Sequence, residues 1–123
     1  MRVLVVDDSR AARSFIGRMV RELGFDVVEA AQGREALDHL VADAPIDLAL
    51  VDWNMPEMNG LEFVVAARAD ERFQVMPIVM CTSETEMSQM VRALDAGASE
   101  YIMKPFTKDI LKGKLDLLGL PVA

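Results

Sequence analysis

The side chains that could do chemistry stand just after short apolar runs. Asp7 and Asp8 follow residues 3–6, Asp52 follows 48–51, Thr82 and Ser83 follow 78–81, and Lys104 follows 101–103. Three carboxylates brought to one place repel one another and raise each other's pKa unless a cation joins them. An all-oxygen donor set selects a hard ion, and a small site completed by water and phosphate oxygens suits Mg2+ better than Ca2+. With one histidine and one cysteine in the chain, zinc has no ligand set here. An aspartate beside such an ion can attack a phosphoryl group to form an acyl phosphate, and Asp52 is the expected nucleophile. The Lys104 ammonium and the Thr82 hydroxyl then offer a charge and a donor to the remaining phosphoryl oxygens. Taken singly, each residue has a plainer reading. An Asp-Asp pair after a strand is commonly a turn or helix cap, a threonine a cap, and a lysine before proline a solvated loop residue. Their joint placement carries the functional reading.

The elements that must position these groups follow from periodicity. Residues 3–6, 27–30, 48–51, 78–81 and 101–103 are short β-branched or apolar runs that read as five buried strands. Between them lie helical repeats. Ala12, Ile16, Met19 and Leu23 mark the first helix, Leu61, Val64, Val65 and Arg68 a middle one, and Leu111, Leu115 and Leu118 the last. Gly24 and Gly97 are placed to end the first and fourth helices, and Glu84 to begin the fourth. Near-continuous apolar strands alternating with helices predict an α/β fold: a (βα)5 doubly wound parallel sheet covered on both faces. In such folds reactive groups gather outside the carboxyl ends of the strands, which is where the acids, hydroxyls and lysine fall.

Composition narrows the function classes. The 123 residues suit one domain without an output domain, and no apolar run approaches the roughly 18 residues of a membrane span. The N-terminus has too short an apolar stretch for a secretory signal, and a lone Cys81 permits no internal disulfide, so a cytoplasmic location is expected. A net charge of −7 with scattered basic residues argues against direct nucleic-acid binding. Cys81 reads as a small buried hydrophobe, His39 as a solvated helix residue, and Trp53 as a ring packed beside the site.

Asp52-Trp53-Asn54-Met55-Pro56-Glu57-Met58-Asn59-Gly60 together with Lys104-Pro105-Phe106 resembles the receiver domains of bacterial response regulators, in particular the CheY-like, chemotaxis type. The resemblance covers essentially the whole chain. It implies a flavodoxin-like strand order 2-1-3-4-5, which is carried over from the family and not read from spacing. It also implies that Asp8 binds Mg2+ directly, Asp7 through water, Asp52 as both ligand and phosphoacceptor, and Asn54 through its backbone carbonyl. Thr82, Ser83 and Lys104 would bind the phosphoryl group, and the Lys104-Pro105 bond is expected to be cis. Thr82 and Tyr101 would form the switch, while Asn54 and Glu84 would tune dephosphorylation. Ser83 departs from the Ala or Gly common at that position, and the loop after Asp8 is one residue shorter than in the enteric chemotaxis protein.

The implied partners are a sensor histidine kinase as phosphodonor and a downstream target protein, bound by a monomer or a phosphorylation-linked dimer. The output face would comprise the fourth helix, fifth strand and fifth helix. There Met87, Met90, Val91 and Leu94 fall at core spacing, yet alignment with the family puts Met87 and Met90 on the surface beside Tyr101 as a docking patch. Gly119 and the residues after it read as a short tail. Alternative functions are a phosphorelay intermediate or phosphate sink, an FMN-binding flavodoxin-like carrier, and a Mg2+-dependent phosphohydrolase. The flavin reading lacks a hydroxyl- and glycine-rich phosphate loop after the first strand. The hydrolase reading lacks a recognisable substrate cap.

Overall fold

Alternating strands and helices build one parallel sheet. The computed structural model describes residues 1–42, 45–83 and 88–122. The elements are β1 (Arg2–Val6), α1 (Arg10–Glu22), β2 (Asp26–Ala30), α2 (Gly33–Ala42), β3 (Leu48–Asp52), α3 (Gly60–Arg68), a 3-10 turn (Glu71–Phe73), β4 (Ile78–Thr82), α4 (Met90–Ala96), β5 (Glu100–Met103) and α5 (Lys108–Leu117). The sheet order is β2-β1-β3-β4-β5, all parallel, as the family resemblance implied.

Successive strand side chains point to opposite faces, and two cores result. Leu4, Val6, Ala49, Val51, Ile78 and Met80 face α2, α3 and α4, where Leu40, Phe63 and Met90 meet them. Val3, Val5, Leu48, Leu50, Val79, Cys81 and Ile102 face α1 and α5, packing on Ile16, Val20, Leu111 and Leu115. Each large side chain so buried stabilises the fold by about 2 kcal/mol before entropy is counted, so the sheet's centre is its best-anchored part.

The expectation of five fully buried strands holds for the central β1, β3 and β4 and needs correction at the edges. In β2, Asp26 and Glu29 are exposed and Val27 and Val28 half-buried, and in β5 only Ile102 is buried. An edge strand has a neighbour on one side only, so its helices cover it less completely. The helical spacing of residues 61, 64, 65 and 68 also needs correction, because α3 buries Gly60, Phe63, Val64 and Ala67 and exposes Val65. The short tail after α5 is packed: Leu120 is buried and Val122 lies against the α1 and α5 core.

Local signals explain the element boundaries. Ser9 caps α1 by accepting the Ala12 N–H, and Asn59 and Glu62 cap α3 reciprocally through side chain and backbone. Gly97 ends α4 at φ +119, a left-handed conformation that suits glycine. The glycine predicted to end the first helix, Gly24, has φ +97. Glu84, predicted to open the fourth helix, lies outside the described residues.

Candidate functional site

The carboxyl ends of β1, β3, β4 and β5 meet at one edge of the sheet, and the polar residues predicted for that edge are there. The backbone N–H of Asp7 extends the β1–β2 ladder by donating to the Ala30 carbonyl at 3.1 Å, which fixes its side chain just beyond the strand. Its carboxylate is 2% exposed, and both oxygens are engaged. Oδ1 accepts the Ser9 N–H at 2.9 Å, and Oδ2 accepts from Lys104 Nζ at 2.8 Å. Asp52 ends β3, and its Oδ1 accepts from the same ammonium at 2.9 Å. Asp8 stands exposed in the loop between β1 and α1. Asp7, Asp8 and Asp52 offer carboxylate oxygens that lie within 4.8 Å of one another.

Lys104 reaches this centre because the chain is anchored on either side of it. Its N–H donates to the Thr82 carbonyl at 2.7 Å, prolonging the β4–β5 pairing, and the Lys104-Pro105 bond is cis as expected. Burial alone would lower the ammonium's pKa, but its hydrogen bonds to Asp7 and Asp52, together with their charges, hold it above the ordinary lysine value. It is therefore a permanent cation at neutral pH. One ammonium against three carboxylates leaves an excess of two negative charges in a site partly shielded from water. That excess, carried by oxygen donors alone, fits a hard divalent cation such as Mg2+.

Thr82 is fully buried at the end of β4, with its hydroxyl donating to the Ser83 carbonyl at 3.2 Å. Ser83 is half-buried beside it, and Asn54 is exposed two residues beyond Asp52. Trp53 is 4% exposed and packs in the core next to Asp52. Tyr101 is half-buried on β5 against the α2, α3 and α4 core. Cys81 is buried, as expected, and burial pushes its thiol pKa up to about 12. His39 lies in the last turn of α2 and is half-buried, away from this edge.

The proposed docking patch needs correction. Met90 is 3% exposed and belongs to the core, while Val91 and Leu94 of the same helix are exposed. Helix α4 faces the sheet with Met90 and Ala93, so its buried stripe runs through different members of the apolar set than the family alignment indicated. Met87 lies outside the described residues, as does Glu84.

Three supporting residues escaped the sequence reading. Arg13 donates from Nη1 to the Asp7 carbonyl at 2.7 Å and pairs with Glu29 at 3.2 Å, tying α1 to the acidic loop. Ser9 turns that loop by donating its N–H to Asp7 and capping α1. Gly60 sits so close under Asp52 that a Cβ would come 2.6 Å from the Asp52 carbonyl oxygen and 3.1 Å from Trp53 Cα. Only the Ser9 cap left a readable signal, a serine just before a helical repeat.

A model of the response regulator receiver domain matches residues 3–116 of this chain. The chain belongs to the response regulator receiver domain family. Within it the receiver is CheY-like: it is 47% identical to chemotaxis protein CheY1 of Helicobacter pylori over 119 residues, covering 96% of each chain. A chemotaxis protein CheY homolog of Campylobacter jejuni is 47% identical over 121 residues, 97% of this chain and 93% of that one. The structure of Vibrio cholerae chemotaxis protein CheY4 superimposes with a TM-score of 0.88 at 36% identity, covering 95% of this receiver and 97% of that chain. A receiver domain of this type works in two-component signalling, which sets aside the flavin-carrier and phosphohydrolase readings. Among the described residues no helix is long and apolar enough to cross a membrane.

Proposed function

We propose that this receiver accepts a phosphoryl group on Asp52 from the phosphohistidine of a sensor kinase in the cytoplasm, switches its α4–β5–α5 face to control a target protein, and then dephosphorylates itself. The observation that carries the reading is the convergence of Asp7, Asp8 and Asp52 within 4.8 Å, with the Lys104 ammonium 2.9 Å from Asp52. Asp8, Asp52 and the Asn54 carbonyl would hold Mg2+, with Asp7 joined to it through water. When bound, that ion supplies neutralising charge for the transferred oxygens.

The remaining work belongs to the chain's own groups. An Asp52 carboxylate oxygen attacks phosphorus, the P–N bond to the donor imidazole breaks, and the imidazole leaves with the electron pair and takes up a proton. As Asp52 becomes an acyl phosphate its own charge is lost, and the Lys104 ammonium turns to the phosphoryl oxygens that now carry it. The Thr82 hydroxyl must leave the Ser83 carbonyl to donate to a phosphoryl oxygen, and this movement would be passed to Tyr101 on the neighbouring strand β5. Water then attacks phosphorus, the P–O bond to Asp52 breaks, and inorganic phosphate leaves as the carboxylate is regenerated. Asn54 and Glu84 are the residues that would tune this step, with Ser83 narrowing access to it.

Labelled acetyl phosphate tests the reading directly. Incorporation of one phosphoryl group is expected with Mg2+, sensitive to hydroxylamine and abolished by EDTA or by Asp52→Asn. The label should decay on a scale of minutes, so persistence for hours in Mg2+ contradicts self-dephosphorylation. Label retained by Asp52→Asn contradicts the assignment of the acceptor.

A further inference from the structure

The Tyr101 ring is gripped from α5. Lys114 places Nζ 4.6 Å from the ring centroid, over its face. The same ammonium is held by Glu100, whose Oε1 accepts from it at 3.3 Å and from the Tyr101 backbone N–H at 2.9 Å. Both side chains are only about a quarter exposed, Lys114 at 25% and Glu100 at 26%. The three groups form a closed unit in which one carboxylate fixes the cation and the strand, and the cation fixes the ring. The ring also packs against the α2, α3 and α4 core.

We propose that Lys114 and Glu100 form a latch that holds Tyr101 in the position seen here, and so set how readily the phosphoryl signal repositions the ring. Lys114 is thus a positioning residue, remote from the acidic centre and absent from the phosphoryl chemistry. The inference rests on the reading of Tyr101 as the switch. An ammonium over an aromatic face in a partly dry setting favours the contacted conformer about two- to fivefold. Because apparent affinity scales with the fraction of competent conformer, an activator that requires the ring to move must overcome that factor. The latch raises the threshold without touching the site.

Tyr101 is the chain's sole tyrosine, so fluorotyrosine incorporation gives one fluorine NMR signal for the switch. Beryllofluoride titrations with saturating Mg2+ should move that signal in the wild type. In Lys114→Met the midpoint should fall about two- to fivefold, in Lys114→Arg it should stay near wild type, and in Glu100→Gln it should fall by less than in Lys114→Met. Melting curves establish that each variant is folded, and Trp53 fluorescence reports site occupancy independently. An unchanged or raised midpoint in Lys114→Met overturns the latch, and so does an arginine variant that behaves like the methionine one. A fluorine signal that stays fixed while Trp53 reports beryllofluoride binding overturns Tyr101 as the switch, and the latch with it.

Discussion

At Lys104 two effects oppose each other. Partial burial disfavours the ammonium, yet its hydrogen bonds to Asp7 and Asp52 keep it charged, so the lysine stands in for part of the positive charge the acids require. Removing it should uncover competition. In Lys104→Met, Mg2+ should bind at least as tightly as in the wild type, by up to about tenfold tighter, because a competing cation is gone. The beryllofluoride response should nevertheless be lost, since the phosphoryl oxygens have lost a partner. Calorimetric titration checks the first point, and weaker Mg2+ binding would show that the lysine supports the ion site. Cys81 gives a second expectation at this scale. Its folded-state pKa is raised from 9.0 to about 12 by burial. The unfolded thiol therefore ionises first as pH rises, and the folded state retains the proton. Its contribution to stability is complete below about pH 9 and is lost as pH climbs toward 12. Urea melts across that window should show a smaller loss in Cys81→Ala than in the wild type, and native Cys81 should resist iodoacetamide at pH 8.

Among the elements, the start of α3 places the tightest demand on the site. Gly60 donates its N–H to the Trp53 carbonyl at 2.9 Å, and an added Cβ would strike the Asp52 carbonyl and Met80 Cε at 2.7 Å. Gly60→Ala should therefore cost about 2 kcal/mol in urea unfolding, the range of overpacking a close contact, and should weaken Mg2+ binding by displacing Asp52. An unaltered variant would show that α3 can shift without disturbing the acid. Such contacts explain what the sequence could and could not reveal. Asp7, Asp8, Asp52, Thr82 and Lys104 were legible because each ends an apolar run, and strand ends share an edge in a parallel sheet. Gly60 and Arg13 were not, because their roles depend on through-space neighbours that no periodicity encodes. The phase of α4 was illegible for a different reason. Met90, Val91, Ala93 and Leu94 make two adjacent faces apolar, and only packing on the sheet decides that Met90 and Ala93 go inward. The half-buried β2 and β5 likewise follow from sheet order, which was borrowed from the family rather than read from these residues.

Across the whole molecule, the sheet separates cause from consequence. Its two cores lock the central strands, so the acidic edge has a rigid floor, while the edge strand β5 carries Tyr101 in a less buried setting beside α4 and α5. On the proposed mechanism, a charge event at Asp52 would be expressed at that outer face without unfolding the centre. Val91, Leu94, Met103 and Ile110 of α4, β5 and α5 are exposed, whereas Met90, expected with Met87 on this face, is buried. Phosphoryl acceptance at Asp52 has a built-in reporter, because the chain's single tryptophan, Trp53, adjoins that residue. The most direct measurement is Trp53 fluorescence during addition of Mg2+ and then beryllofluoride, with Asp52→Asn as the control. A change at each addition in the wild type, with the beryllofluoride step lost in the control, is the expected result. A folded wild type that responds to neither addition would contradict phosphoryl acceptance at Asp52.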